Sequence, residues 1–152
     1  MRKRARHFVG RVLVHLFGRP KDRALSAIVN DFEKRIRGRG ISVQAHSERK
    51  GIDAYQEGLS KLTGSLVIMD ERGEQMSSEE LARWLGSANM ENVQTNIAIG
   101  PSEGFSEEFK AGASHSISLS NLTLTHEMAA AVLLEQLYRA TEINRGSPYH
   151  RN

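Results

Sequence analysis

Strand-like apolar runs and helix-like apolar repeats alternate along almost the whole of this chain. Short apolar or alternating segments of strand length lie at Val12–Phe17, Ile41–His46, 65–69, Thr95–Ile99 and around Ile117 and Leu119. The segments between and after them repeat apolar residues every three or four positions, or begin at a capping residue, which predicts helices at about 25–36, 52–62, 77–88, 106–113 and 128–143. Such alternation is typical of an α/β fold, a mainly parallel sheet with helices on both faces.

Three loops follow strands at the carboxyl edge of the predicted sheet, at 70–76, 100–105 and 120–125. Ligands of open parallel sheets bind in the crevice outside the carboxyl ends of the strands. The pattern alone therefore nominates these three loops as a binding site. It does not predict a knot, because threaded chains are nearly absent among proteins.

Composition narrows the class of protein. A chain of 152 residues fits one domain. The absence of cysteine excludes disulfides, iron–sulfur clusters and thiolate zinc sites. A chain without cysteine is compatible with a reducing cytoplasm. No apolar run approaches the roughly 18 residues of a membrane span, so no membrane partner is expected. His126-Glu127 is followed by Ala129 and Ala130 where a zinc protease needs its second histidine, so we expect no metal site.

Positive charge is concentrated in the N-terminal third. Residues 1–50 hold 14 Lys and Arg against 4 Asp and Glu, whereas residues 51–152 hold 7 against 14. A polyanion would meet the basic third first, and Arg35, Arg37 and Arg39 are candidates for phosphate contacts. Residues 1–11 form a basic extension that is open to three interpretations: a disordered tail, which is favoured, an RNA-contacting arm or an organellar presequence.

Three C-terminal segments read SISLSNLTLTHEM, LLEQLYRA and SPYHRN, in that order. Together they resemble a family of small bacterial methyltransferases that modify a pseudouridine of large-subunit ribosomal RNA, within the SPOUT superfamily. The resemblance implies one SPOUT methyltransferase domain at 12–152, a trefoil knot near the C-terminus, S-adenosylmethionine as cofactor and a cytoplasmic homodimer. It also implies that ribosomal RNA or the assembled ribosome is the partner.

The family pattern also implies which residues hold the cofactor, largely through backbone groups and apolar side chains. Carried over position by position, the cofactor-binding residues are Met69, Gly100, Leu119, Ser120, Asn121, Leu122, Thr123 and Leu124. Gly100 and Gly104 suit a loop that approaches a ligand closely, although a pair of glycines alone is more typical of an ordinary turn.

The reaction implied by the resemblance moves a methyl group to N3 of a pseudouridine in the helix 69 stem-loop of 23S ribosomal RNA. His150 and Arg151 are the catalytic candidates, with Tyr149 orienting them, and the family borrows this tail from a second subunit. Without the family, a terminal Tyr-His-Arg is most simply a solvated tail. Arg139 is expected to pair with Glu135, four residues earlier on the same helix.

Two alternatives remain open at this stage. Pro101, Thr125 and Ala130 stand where relatives usually have glycine, proline and arginine, so a non-catalytic RNA-binding or ribosome-binding protein of the same fold is one alternative. The second is a serine hydrolase, because residues 100–104 fit the G-x-S-x-G motif with Ser102 as nucleophile.

Overall fold

The computed structural model describes residues 11–151, and the predicted extension at 1–11 lies outside them except for Arg11. In chain order the elements are β1 (Val12–Phe17), α1 (Arg23–Arg37), β2 (Ile41–His46), α2 (Gly51–Ser60), β3 (Ser65–Gln75), α3 (Ser78–Met90), β4 (Thr95–Ile99), α4 (Glu107–Ala111), β5 (His115–Ser118) and α5 (His126–Asn144). A short 3-10 helix, Glu48–Lys50, precedes α2.

The five strands form one parallel sheet in the order β2-β1-β4-β3-β5. All five residues of the central strand β4 are buried, as expected for a parallel strand that is covered on both sides. Its first residue, Thr95, lies opposite Val12 of β1 and Ser65 of β3, so these three strands start in register. Their carboxyl ends therefore reach the same edge of the sheet.

Helices cover both faces of the sheet. On β4, Ile97 and Ile99 point into the larger apolar core, which is shared with α1, α3 and α5, whereas Ala98 points into a second cluster shared with α2 and α4. This alternation follows from the two-residue period of a strand. The predicted α/β fold with helices on both faces is confirmed, and no helix of residues 11–151 is long and apolar enough to cross a membrane.

The segment 70–76 is not the simple loop that its polar sequence predicts. Strand β3 continues to Gln75, and Ile117 of β5 lies opposite both Met69 and Glu74. Residues 70–73 therefore form a long bulge in β3. A Cβ on Gly73 would lie 2.7 Å from the carbonyl carbon of Ser116, so the bulge passes directly against the β5 backbone. The sequence cannot reveal this pairing because backbone groups make it.

Strand β5 is shorter than predicted and ends at Ser118, so Leu119 belongs to the loop that follows. Helix α5 begins earlier than predicted, at His126, because the Thr125 side chain accepts a hydrogen bond from the Met128 N–H at 3.1 Å. The capping box predicted from Ser77 and Glu80 is confirmed at the start of α3. Capping contacts thus define the residues at which α3 and α5 begin.

Candidate functional site

One cleft at the carboxyl edge of the sheet is lined by the start of the β3 bulge, by the end of β4 with the turn after it, and by the segment after β5. Its lining residues include Met69, Asp70, Glu71, Gly100, Pro101, Phe105, Lys110, Leu119, Ser120, Leu122, Thr123, Leu124 and His126. The three segments nominated from the sequence therefore meet around a common space, although they are far apart in the chain.

Seven of the eight residues predicted to bind a cofactor line this cleft, and Asn121 does not. The side chain of Asn121 instead contacts the Gln75 amide at the end of the β3 bulge. Leu122 is 75% exposed at the cleft, which is unusual for a leucine and leaves apolar surface available to a ligand. The adjacent Leu119 is partly buried against the larger core.

The β3 bulge is connected to α4 and to the loop after β5 through polar side chains. Asp70 forms an ion pair with Lys110 of α4 at 3.2 Å, and Glu71 accepts a hydrogen bond from the Thr123 hydroxyl at 3.0 Å. Hydrogen bonds to Glu107 and to Asp70 raise the pKa of Lys110, which is therefore held as a cation at the cleft. The bulge is therefore connected to Lys110 of α4 and to Thr123 of the loop after β5, and both residues line the cleft.

The turn after β4 is built closely around its glycines. A Cβ on Gly100 would lie 3.1 Å from two ring carbons of Phe105, so the ring packs directly on the backbone. The Pro101 carbonyl accepts a hydrogen bond from the Gly104 N–H at 2.8 Å, and Gly104 has a φ of 84°. Pro101 has no N–H of its own to offer a ligand.

The loop after β5 is stabilised by its own hydroxyl groups. Ser118 donates to the Ser120 carbonyl at 3.0 Å, and the Ser120 hydroxyl accepts from the Leu122 N–H at 2.9 Å. His126 begins α5 beside this loop, and its Nδ1 is buried without a hydrogen-bond partner among residues 11–151. The loop is therefore held in shape by contacts within the chain.

The C-terminal tail folds onto α5 of its own chain. The Tyr149 hydroxyl donates to Glu135 at 2.9 Å, and its ring packs edge-on against Tyr138 with centroids 4.9 Å apart. Burial and the neighbouring Glu135 carboxylate raise the pKa of Tyr149. Arg139 pairs with Glu135 at 2.8 Å, as predicted, and its guanidinium also lies 4.9 Å from the Tyr149 ring centroid.

His150 lies between two charged side chains of the same molecule. Its Nδ1 is 3.1 Å from Nη1 of Arg139, and its Nε2 is 2.8 Å from Oε2 of Glu79 in the first turn of α3. Arg151 is exposed. Tyr149, His150 and Arg151 do not line the cleft of their own chain. Nothing in the sequence pairs Glu79 with the tail, because 71 positions separate the two residues.

Ser102 lacks the surroundings of a catalytic nucleophile. It is exposed, its hydroxyl donates to Glu103 at 3.3 Å, and no histidine of residues 11–151 is hydrogen-bonded to it. The next helix begins only at Glu107, too late for the sharp strand-to-helix turn of that motif. Within the same residues, no three acidic, histidine or cysteine side chains are grouped so as to hold a metal ion.

The three arginines predicted to contact phosphate are each paired with a carboxylate of the same chain. The pairs are Arg35 with Asp31 at 3.0 Å, Arg37 with Glu33 at 3.7 Å and Arg39 with Glu142 at 2.6 Å. A phosphate would compete with these carboxylates, and the phosphate contact stays a prediction. Arg39 is the most constrained, since it also donates to the Thr141 hydroxyl at 2.8 Å.

Comparisons with known proteins agree on one family. The family model described as "Predicted SPOUT methyltransferase" matches residues 11–150. "Ribosomal RNA large subunit methyltransferase H" of Koribacter versatilis is 39% identical over 142 residues, which cover 88% of this chain and 92% of the relative. The protein of the same name from Geotalea daltonii is 47% identical over 116 residues, which cover 74% and 72%.

The fold also has a counterpart among solved structures. A protein described as a probable methylase from Haemophilus influenzae superposes with a TM-score of 0.57 at 11% identity, over 95% of this chain and 71% of that one. At that identity the likeness concerns the fold alone.

Proposed function

The chain belongs to the SPOUT methyltransferase family, and from that premise we propose that it transfers a methyl group from S-adenosylmethionine to N3 of a pseudouridine in the helix 69 stem-loop of 23S ribosomal RNA. The observation that carries the proposal is the cleft, in which three segments of the family pattern meet at the carboxyl edge of the sheet. The names and coverage of the relatives support ribosomal RNA as the substrate.

The residues of the cleft fit this cofactor chemically. Leu119, Leu122 and Leu124 offer apolar surface to a flat base. The Glu71 carboxylate favours a cationic group, whereas Asp70 is already paired with Lys110. When bound, S-adenosylmethionine supplies an electrophilic methyl group on a positively charged sulfur. The chain's part is to bind and orient that group, with Met69, Gly100, Ser120 and Thr123 completing the proposed binding set. Asn121 does not line the cleft, and its proposed part is to support the loop through its contact with Gln75.

The acceptor nitrogen is an imide that must lose its proton before it becomes a nucleophile. A positioned base can remove such a proton, and a nearby cation can stabilise the resulting anion. Arg151 is exposed and permanently charged, which suits the second role, and His150 and Tyr149 lie beside it at the end of the chain. We assign these three residues to the acceptor side of the reaction.

The proposed reaction requires a homodimer. The three tail residues do not line the cleft of their own chain, so they reach a cleft only if a second copy presents its tail there. The family implies this arrangement, and it also implies the trefoil knot and a single domain at residues 12–152. All three are part of the proposal. A ribosomal RNA substrate in turn favours the cytoplasm.

The decisive experiment is a search for N3-methylated pseudouridine in ribosomal RNA from a strain that lacks this protein. Mass spectrometry of the helix 69 fragment is expected to show loss of the methyl group and its return when the intact chain is restored. Retention of the methyl group in the deletion strain would refute the proposed substrate.

A non-catalytic RNA-binding protein is the second candidate, because Pro101 removes one N–H from the cleft. The other two departures are accommodated: Thr125 caps α5, and Ala130 is only 3% exposed in the larger core. Calorimetry with S-adenosylmethionine distinguishes the candidates. Heat of binding at micromolar ligand supports the enzyme, whereas no heat at millimolar ligand supports the binding protein.

A further inference from the structure

His150 is held at both ring nitrogens by residues of its own chain. Nη1 of Arg139 lies 3.1 Å from Nδ1, and Oε2 of Glu79 lies 2.8 Å from Nε2. Both contacts are partly shielded from water, since the His150 side chain keeps only 18% of its exposure. Arg139 is itself fixed by Glu135, so the ring lies within a chain of charged groups.

The chemistry of these partners determines where the ring proton lies. A guanidinium carries only donors, so Arg139 must donate to Nδ1, and Nδ1 must keep its lone pair. The single proton of the neutral ring is then on Nε2, from which it is donated to the Glu79 carboxylate. The hydrogen bond from His150 also lowers the pKa of Glu79, which keeps that carboxylate ionised as an acceptor.

We propose that Glu79 is a positioning residue for methyl transfer: it fixes His150 in the Nε2–H tautomer with Nδ1 turned toward Arg139. The role in transfer rests on the proposed function, in which this tail completes the cleft of a second subunit. Both ring nitrogens are occupied while the contacts last, so His150 serves as a fixed link that orients Arg139 rather than as a free base. A carboxylate that orients a histidine in this way is a common supporting element of active sites.

The tautomer can be read directly in the full-length protein. Nitrogen NMR of the labelled histidine rings distinguishes a protonated ring nitrogen from one with a free lone pair, and a His150→Gln variant assigns the signals. We expect His150 to carry its proton on Nε2 in the wild type. Glu79→Gln should keep that tautomer because the amide oxygen still accepts from Nε2. Glu79→Ala should give a mixture of tautomers, because a ring that is no longer held at Nε2 can turn away from Arg139.

The same variants test the effect on catalysis. Glu79→Ala should lower kcat roughly 10-fold to 100-fold, by analogy with the loss of hydrogen-bond partners that orient metal-binding histidines. The KM for S-adenosylmethionine should stay unchanged, because Glu79 does not line the cleft. Glu79→Gln should restore most of the lost kcat.

Glu108→Ala is the matched control. Glu108 is an exposed acid in the first turn of α4, whereas Glu79 is a half-buried acid in the first turn of α3. Loss of Glu108 removes a similar interaction with the helix dipole without touching the tail. It should leave both the tautomer and kcat unchanged.

An unchanged tautomer in Glu79→Ala, or an unchanged or raised kcat, would overturn the proposed role of Glu79. A wild-type protein that methylates no ribosomal RNA would overturn the proposed function instead. The two failures are distinguishable because the tautomer is measured without RNA.

Discussion

At the scale of single residues, the cleft depends on a turn whose backbone suits glycine. Gly104 has a φ of 84°, where a side chain is strained, and its N–H closes the turn on the Pro101 carbonyl. No atom lies within 4 Å of the place that a Cβ would take. Any cost of substitution at Gly104 is therefore a backbone cost and not a steric clash.

Gly104→Ala should destabilise the protein by about 1–2 kcal/mol, the cost of a left-handed conformation for an L-residue. It should also weaken S-adenosylmethionine binding, because the turn lines the cleft. Urea denaturation and calorimetry measure the two effects. Gly112→Ala is the control: Gly112 has a φ of −87°, so this substitution should stabilise the protein by about 0.4–1 kcal/mol and leave binding unchanged. Equal stability of the two variants would contradict the argument.

At the scale of elements, the sequence predicts those features that depend on local pattern. The bounds of β1, β2 and β4 agree with the predicted strands, because apolar residues fill the buried positions there. The sequence does not predict the β3 bulge, since residues 70–75 are polar and only backbone groups pair Glu74 and Gln75 with β5. The sequence does not predict the contact between Glu79 and His150 either, because this contact depends on how α3 packs against the distant C-terminal tail.

The β3 bulge can be tested at its closest approach to β5. A Cβ at Gly73 would lie 2.7 Å from the Ser116 carbonyl carbon and 2.8 Å from the Ile117 nitrogen, so Gly73→Ala must displace backbone. We expect a loss of about 1–3 kcal/mol in the free energy of unfolding, as for overpacking. Binding of S-adenosylmethionine should weaken too, because side chains of the bulge hold Lys110 of α4 and Thr123 of the loop after β5, which line the cleft.

Gly58→Ala provides the comparison for Gly73→Ala. Gly58 lies inside α2 with no atom within 4 Å of its Cβ position, so alanine should stabilise the protein by about 0.5–1 kcal/mol. Thermal or urea denaturation of both variants checks the pair. If Gly73→Ala were as stable as the wild type, the close approach of the bulge to β5 would be wrong.

At the scale of the whole molecule, we expect a pair of histidines to couple the stability of the protein to pH. His15 Nε2 lies 3.0 Å from the Asn96 side-chain oxygen, and its Nδ1 lies 2.8 Å from Nε2 of His46. The Asn96 amide donates to the carbonyls of Thr63 and Ser65, so its oxygen is the acceptor. His15 is therefore protonated on Nε2, and His46 donates to its Nδ1.

Burial lowers the pKa of both His15 and His46 below the usual value of 6.5. The unfolded chain therefore binds more protons than the folded chain below pH 6.5. The stability that the folded chain has while both histidines are neutral is fully present above pH 6.5. It is lost as the pH falls through the lowered folded-state pKa values. Urea denaturation from pH 7.5 to pH 5 should show a free energy of unfolding that falls by up to about 1.4 kcal/mol per pH unit for each extra proton.

His46→Gln separates this effect from other titrating groups. The glutamine amide can still donate to His15 but does not titrate, so the dependence of stability on pH should become shallower. An identical slope in the variant and the wild type would assign the pH dependence to other residues.

The proposed dimer makes a prediction that concerns two molecules together. If each tail serves the cleft of its partner, a variant with a damaged tail and a variant with a damaged cleft should complement each other. Arg151→Ala removes the exposed cation of the tail, and Leu122→Arg places a charged side chain in the cleft at an exposed position. Neither change removes a buried contact, so both variants should fold.

Each variant alone should be inactive in methyl transfer to ribosomal RNA. After unfolding and refolding as an equal mixture, half of the dimers are mixed, and each mixed dimer contains one cleft and one tail that are both intact. About a quarter of the wild-type activity should therefore return, as symmetry requires for random pairing. A mixture that stays inactive, although native mass spectrometry detects the mixed dimer, would show that the tail does not act on the partner's cleft.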